Sequence, residues 1–171
     1  MEKVIRRGWF CWVLALFLAG CGDGRPSLVQ ATGTITLDGN PIEGAVIALQ
    51  PVGEGEDANR RPSAGVTGPD GKFTLTTYEK DDGVPPGKYK VTVQKRELIG
   101  KLPANYNDER PDAVPLKYKL AIPRKYMMVE TSGLEVEVTS SELKPATFDL
   151  QTGGEKPEIE STGPGRRGNE P

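Results

Sequence analysis

The feature that most restricts the fold of this chain is a series of short segments in which apolar and polar residues alternate. The clearest is KYKVTVQK, residues 88–95, where Tyr89, Val91 and Val93 alternate with polar side chains. Successive side chains of a β-strand point to opposite faces, so this pattern predicts a strand with one buried face and one wet face. No segment after residue 28 shows the spacing of an amphipathic helix.

Similar segments recur along the chain, with turn signals between them. Ile35 and Leu37 alternate with threonines just before Asp38 and Gly39, a dipeptide typical of hairpin turns because glycine accepts a positive φ. Further inward-facing residues are predicted in later segments: Phe73, Leu75, Leu134, Val136, Val138, Phe148 and Leu150. About seven short strands at intervals of about ten residues predict an all-β domain, a single antiparallel β-sandwich over residues 28–152.

Two stretches lack this alternation. Residues 96–125 contain several prolines and no clear period, and we expect a long excursion that crosses the sheet and includes a helical turn. Residues 153–171 are dominated by glycine, proline and charged residues, a composition that predicts a disordered tail.

The N-terminal residues have the features of an export signal. Lys3, Arg6 and Arg7 precede an apolar run over residues 9–20. This run is about a dozen residues long, whereas a helix that spans a bilayer needs roughly 20. The stretch therefore predicts a signal peptide over residues 1–20 rather than a membrane-spanning or core helix.

The end of the apolar run carries a more specific motif. Leu18, Ala19, Gly20 and Cys21 resemble the lipobox of bacterial lipoproteins. The resemblance implies cleavage before Cys21, a diacylglyceryl group on its thiol and an acyl group on its new amine, and several acyl chains hold a protein firmly at a membrane. Residues 21–27 would then be a polar tether. An ordinary secreted protein and an uncleaved anchor are the alternatives.

Composition limits the cross-links and the partners that we expect for the mature chain. Cys11 leaves with the signal peptide and Cys21 carries lipid, so the domain is expected to fold without a disulfide. Removal of the charged residues of the signal peptide leaves 19 basic and 23 acidic residues, a net charge of −4. No basic block suggests nucleic acid as a partner.

Several segments carry a likeness to a known family. Residues 33–51, 65–77 and 81–93 (GTITLDGNPIEGAVIALQP, GVTGPDGKFTLTT and DDGVPPGKYKVTV) resemble carboxypeptidase regulatory-like domains. Residues 122–138 and 148–150 (IPRKYMMVETSGLEVEV and FDL) resemble small lipoproteins of planctomycete bacteria. The resemblance implies a transthyretin-like sandwich with an accessory role. Gly44, Gly71 and Gly87 lie within these segments, and we interpret them as turn residues.

No catalytic residue, metal site or cofactor is predicted. Zinc carboxypeptidases bind their metal through His and Glu, and the hydrolases of the transthyretin-like fold depend on histidines, but this chain has no histidine. A serine nucleophile would lack its base for the same reason. Acylation of Cys21 excludes the remaining thiol as a nucleophile.

Two kinds of ligand remain as alternatives. Two acidic groups could supply oxygen ligands to Ca²⁺, although neither follows the EF-hand spacing and both are interpreted as solvated loops: Glu79, Asp81 and Asp82, and Glu54, Glu56 and Asp57. A glycan could stack on tyrosines in loops or at edges, although these more often pack over the end of a domain: Tyr78, Tyr106, Tyr118 and Tyr126.

The sequence therefore predicts a non-enzymatic, membrane-anchored lipoprotein of the cell envelope with a structural or protein-interaction role. Its membrane contact would be the lipid at Cys21, its domain would lie outside the cytoplasm, and its partner would be another envelope component. A glycan- or calcium-binding module of the envelope is the alternative.

Overall fold

The computed structural model describes residues 25–53, 60–107, 109 and 114–162. The predicted signal peptide, the lipid site at Cys21 and most of the tether lie outside these residues. Within the described chain, no helix has the length and apolar character needed to cross a membrane.

The described part of the chain is all-β. It contains a short 3-10 turn at Arg124–Met127 and no α-helix. The strands are β1 (Thr32–Leu37), β2 (Asn40–Pro41), β3 (Val46–Pro51), β4 (Ser63–Val66), β5 (Lys72–Thr74), β6 (Gly87–Gln94), β7 (Arg96–Leu98), β8 (Leu116–Leu120), β9 (Leu134–Val138), β10 (Leu143–Lys144), β11 (Thr147–Leu150) and β12 (Ile159–Thr162).

These strands form three sheets. In the four-stranded sheet, β1 pairs with β11 in parallel and with β2 and β5 in antiparallel orientation. The five-stranded sheet is antiparallel throughout, in the order β10-β9-β6-β3-β4. The smallest sheet has the order β12-β8-β7, also antiparallel.

One hydrophobic cluster joins the two larger sheets. Ile35 and Phe148 contribute to it from the four-stranded sheet, and Leu49, Val91 and Val136 from the five-stranded sheet. Most of the predicted inward-facing residues are confirmed as buried: Ile35, Phe73, Leu75, Tyr89, Val91, Val93, Val136, Val138, Phe148 and Leu150. Leu37 and Leu134 are only partly buried and pack against the cluster.

Residues 96–125 differ from the expected excursion because they build most of the third sheet. Only Lys95 separates β7 from β6, and Leu98 pairs with Tyr118 of β8. Apolar and polar side chains do alternate in β8, where Leu116 and Leu120 are buried. This pattern covers only five residues near several prolines, which is too short to predict a strand from the sequence. The expected helical turn is the 3-10 turn at Arg124–Met127, which begins within this stretch.

The tail was expected to be disordered from residue 153, and this expectation is wrong for its first part. β12 pairs with β8, placing Glu160 opposite Tyr118. Arg124 Nε lies 2.9 Å from Glu158 Oε2, and Arg96 Nε lies 2.9 Å from Glu160 Oε2. These ion pairs and the strand ladder order a segment whose own composition has little tendency to fold. Residues 163–171 lie outside the described chain.

The centre of β6 offers a test of burial and register together. Val91 is fully buried between Leu49 and Leu134, whereas Thr92 faces outward beside Ala48. Removing the two methyl groups of Val91 by Val91→Ala leaves a void and should reduce the free energy of unfolding by roughly 1–3 kcal/mol in urea denaturation. Thr92→Ala on the outer face should cost within about 0.5 kcal/mol. A larger loss for Thr92→Ala would contradict this register, because a one-residue slip exchanges the two faces.

Candidate functional site

A hairpin at one edge connects the two larger sheets. β4 belongs to the five-stranded sheet and β5 to the four-stranded sheet. Ala64 donates its N–H to the Thr76 carbonyl at 2.9 Å, and Thr76 donates to the Ala64 carbonyl at 2.8 Å. The sheet surface therefore continues around this edge from β3 and β4 to β5, β1 and β11.

An open groove of about 900 Å³ lies on this continuous surface. Its lining is mainly small side chains from β1, β4, β5 and β11, together with the charged groups of Lys72, Lys80 and Asp81. Val46 and Val66 add an apolar strip, and Val66 is 60% exposed. Lys72 pairs directly with Thr34, so the groove combines uncharged side chains with a cation beside β1.

Threonines give the groove its polar character. Thr32 pairs directly with Thr74, and Thr34 pairs directly with Thr147. Threonine suits these positions because a β-branched side chain fits the pleated surface of a strand. Within the described chain, none of these four hydroxyl groups makes a hydrogen bond, so each can donate to or accept from a ligand.

The hairpin that carries the groove depends on one glycine for its close packing. A Cβ atom at Gly65 of β4 would lie 2.6 Å from the carbonyl oxygen of Thr74 in β5. The absence of a side chain lets the two strands approach at the edge where the sheets meet.

A loop that lines part of the groove is held by a carboxylate. Asp82 accepts hydrogen bonds from the backbone N–H groups of Thr77, Tyr78 and Glu79 at 2.7, 2.9 and 2.8 Å. Desolvation is the largest single influence on the pKa of Asp82 and raises it. The three hydrogen bonds together outweigh desolvation and hold that pKa below its ordinary value. Asp82 therefore stays ionised at neutral pH and fixes the loop that carries Lys80 and Asp81.

Two of the acidic residues considered as calcium ligands, Asp82 and Glu79, contact protein groups instead. Both oxygens of Asp82 accept backbone hydrogen bonds, and Glu79 pairs with Arg25 at 3.5 Å. Asp81 is exposed and lines the groove. Among the described residues, no three His, Cys, Asp or Glu side chains are grouped so that they could hold a metal ion. The second acidic group, residues 54–57, lies outside the described chain.

The four tyrosines considered as glycan platforms lie apart from one another. Tyr126 is buried, and its hydroxyl oxygen accepts a hydrogen bond from the Gln151 N–H at 3.1 Å. Tyr78 is partly covered, with the guanidinium carbon of Arg25 at 5.0 Å from its ring centre and that of Arg61 at 5.6 Å. Tyr106 and Tyr118 are half-buried. None of the four presents a fully exposed ring to a sugar.

Comparison with known proteins gives no assignment for the chain. No family model, curated protein or solved structure matches it. What the protein does must therefore be inferred from its own residues and their arrangement.

Sequence reasoning did not predict the groove, although part of the signal was present. Thr32 and Thr34 alternate with inward-facing residues in β1, and Thr74 and Thr76 do the same beside β5. That pattern indicates outward threonines on two strands. It does not indicate that the two strands are neighbours, which depends on the pairing of Thr32 with Thr74.

Proposed function

We propose that this chain is a non-enzymatic lipoprotein of the cell envelope whose β-domain binds another envelope protein. The observation that carries the proposal is the Leu-Ala-Gly-Cys motif at residues 18–21, placed at the end of a short apolar run behind a basic flank. Lipid at Cys21 would hold the domain at the membrane surface, outside the cytoplasm. The chain has no histidine, and an interaction role needs none.

The proposal includes a finer description of the fold. The domain is a transthyretin-like sandwich of the carboxypeptidase regulatory-like type, antiparallel apart from the pairing of β1 with β11, which corrects the wholly antiparallel sandwich expected from the sequence. The common hydrophobic cluster of the two larger sheets supports this description. Apart from the two-residue strands β2 and β10, those sheets contain seven strands, in keeping with the strand count inferred from the sequence.

The groove is the proposed contact surface for the partner. Its length along several strands suits an extended polypeptide segment rather than a compact small molecule. The hydroxyls of Thr32, Thr34, Thr74 and Thr147 can pair with backbone groups of such a segment, and the apolar strip can cover its side chains. The small lining residues leave room for the segment to approach the sheet surface closely.

Site-specific cross-linking in intact envelopes tests this contact. A photoreactive amino acid at position 34, inside the groove, should give a defined protein adduct. The same amino acid at position 135, exposed on β9 and three strands away from β4 in the five-stranded sheet, is the control and should give none. Thr147→Arg should abolish the adduct at position 34, because a long cationic side chain would fill the groove opposite Thr34. Equal adducts at both positions, or an adduct that survives Thr147→Arg, would count against the groove as the docking surface.

The alternative function, a glycan- or calcium-binding module, has less support. In the part of the chain that the structure describes, Asp82 is engaged with the backbone, Tyr126 is buried, and none of the other candidate tyrosines is fully exposed. Calorimetry of the mature chain with Ca²⁺ and a glycan array distinguish this alternative, because each should give a saturable signal only if the module binds that ligand.

A further inference from the structure

The chain enters the described domain at a fixed place. Arg25 is the first described residue, and its guanidinium lies 3.5 Å from Glu79 and 5.0 Å from the ring centre of Tyr78. Four residues later, Val29 and Val84 exchange backbone hydrogen bonds, both at 2.9 Å. The entering segment is therefore held along the loop that runs from Thr77 to Val84.

The proposed anchor lies close to this place. Cys21 precedes Arg25 by four residues, and four residues of fully extended chain span at most about 14 Å. Whatever contacts Arg25 must therefore lie near the membrane surface if Cys21 carries lipid. The other end of the domain is farther away, because β6 runs from Gly87 to Gln94 and spans roughly 20 Å.

We infer that one end of the domain rests on the phospholipid headgroup layer of the membrane that holds Cys21. This surface, named the Tyr78 face, consists of Arg25, Arg61, Tyr78 and Lys80. The inference rests on the proposed lipidation of Cys21 and adds an orientation and a lipid contact to it.

The chemistry of the Tyr78 face suits phospholipid headgroups. The guanidinium carbons of Arg25 and Arg61 lie over the ring of Tyr78, at cation–π distance from its centre. Planar guanidinium groups form bidentate hydrogen bonds with phosphate oxygens. Tyrosine is enriched where a protein meets the interface between membrane and water. Lys80 is exposed in the same loop and adds a further cation.

The tether, rather than net charge, drives the contact. Described cations and anions at this end are nearly balanced: Arg25, Arg60, Arg61 and Lys80 against Glu79, Asp81 and Asp82. A short link converts a weak surface contact into an intramolecular one at high effective concentration. The face should therefore touch zwitterionic and anionic membranes alike.

The proposed orientation also determines where the groove lies relative to the membrane. Lys80 and Asp81 line the groove and belong to the loop of the Tyr78 face. The part of the groove that this loop lines would therefore lie close to the membrane surface, so a segment bound there would approach along the membrane.

Tryptophan fluorescence tests the orientation without a competing background. Both tryptophans of the full chain, Trp9 and Trp12, precede residue 21, so the mature chain has none. The mature chain, residues 21–171, is coupled through the thiol of Cys21 to a maleimide lipid in phosphatidylcholine vesicles that contain a headgroup spin label.

Three single-tryptophan variants of the coupled chain are compared. Tyr78→Trp reports the proposed face, and Lys80→Trp reports the same loop from an exposed side chain that the fold does not need. Glu43→Trp is the control, since Glu43 is exposed in the turn before Val46, which pairs with Gln94 at the far end of β6.

Fluorescence quenching in the Tyr78→Trp and Lys80→Trp variants should exceed quenching in the Glu43→Trp variant by about twofold or more, because interfacial aromatic rings lie at headgroup depth. Equal quenching in all three variants, or the strongest quenching in the control, would overturn the orientation. Quenching that appears only when anionic lipid is added would overturn the tether-driven contact. Chemical coupling bypasses cellular lipidation, so failure of this experiment is separate from failure of the proposed function, which the mass of the mature protein from cells reports.

Discussion

Replacing Cys21 by serine should leave an uncleaved, poorly anchored precursor whose detergent partitioning differs from that of the parent protein. In lipoproteins of the resembled type, the cysteine thiol receives the diacylglyceryl group before cleavage, and serine has no thiol to accept it. Loss of several acyl chains removes about 0.8 kcal/mol of membrane binding for each buried methylene group, which leaves only the short apolar run of the uncleaved signal peptide to hold the precursor. Mass spectrometry of the intact protein and partitioning into detergent phase measure both effects.

A matched control exists within the same segment. Cys11 lies inside the apolar run, ten residues before Cys21, and Cys11→Ser should be processed and lipidated normally. A Cys21→Ser protein with the same mass and the same detergent partitioning as the parent would refute lipidation at this residue and, with it, the proposed anchor.

Replacing Gly71 by alanine should remove a large part of the stability of the domain. Gly71 has a φ of +73°, and a Cβ atom there would lie 2.5 Å from the carbonyl oxygen of Ile35. A left-handed conformation costs a residue with a side chain roughly 1–2 kcal/mol. The clash with a backbone atom of β1 should add about 1–3 kcal/mol, as overpacking does in cores.

Gly44 separates these two contributions. Its φ is +70°, nearly the same as that of Gly71, but a Cβ atom there would meet nothing within 4 Å. Gly44→Ala should therefore cost only the roughly 1–2 kcal/mol of the backbone conformation. Urea denaturation of both variants measures the difference, and equal losses would show that Ile35 moves aside without cost.

The strands that alternate in sequence were predictable because their pattern reflects a single buried face. β6 is the clearest case, with Tyr89, Val91 and Val93 all buried. β12 was not predictable, because its residues do not alternate between apolar and polar side chains. The strand forms only through its pairing with β8 and the ion pairs of Glu160 with Arg96 and Arg124. Alternation in a sequence indicates which side chains of a segment are buried, whereas β12 is ordered by contacts with residues elsewhere in the chain.

The candidate site was less predictable than the fold for a related reason. The four threonines proposed to bind the partner come from three strands, and their proximity follows from pairing over long sequence distances. Asp82 was visible as an acidic residue in a polar loop, but its hydrogen bonds to Thr77, Tyr78 and Glu79 depend on the local path of the backbone. The sequence indicated which residues the loop contains, and only the folded structure shows that Asp82 holds the loop through these hydrogen bonds.

The parallel pairing of β1 with β11 has a consequence for how this protein reaches its native state if it is exported as we propose. Thr36 Oγ1 donates a hydrogen bond to Asp149 Oδ1 across a sequence separation of 113 residues. One edge of β1 therefore stays unpaired until β11, nearly the last strand of the domain, is present. Closure of so long a loop carries an entropic cost before any contact rewards it, and such topologies fold slowly. A chain that crosses a membrane from its N-terminus exposes β1 to its surroundings until residue 150 emerges. For a chain exported as proposed, we therefore expect the emergence of the last segment from the membrane to limit the rate of folding, and truncation before Thr147 to produce a chain prone to aggregation.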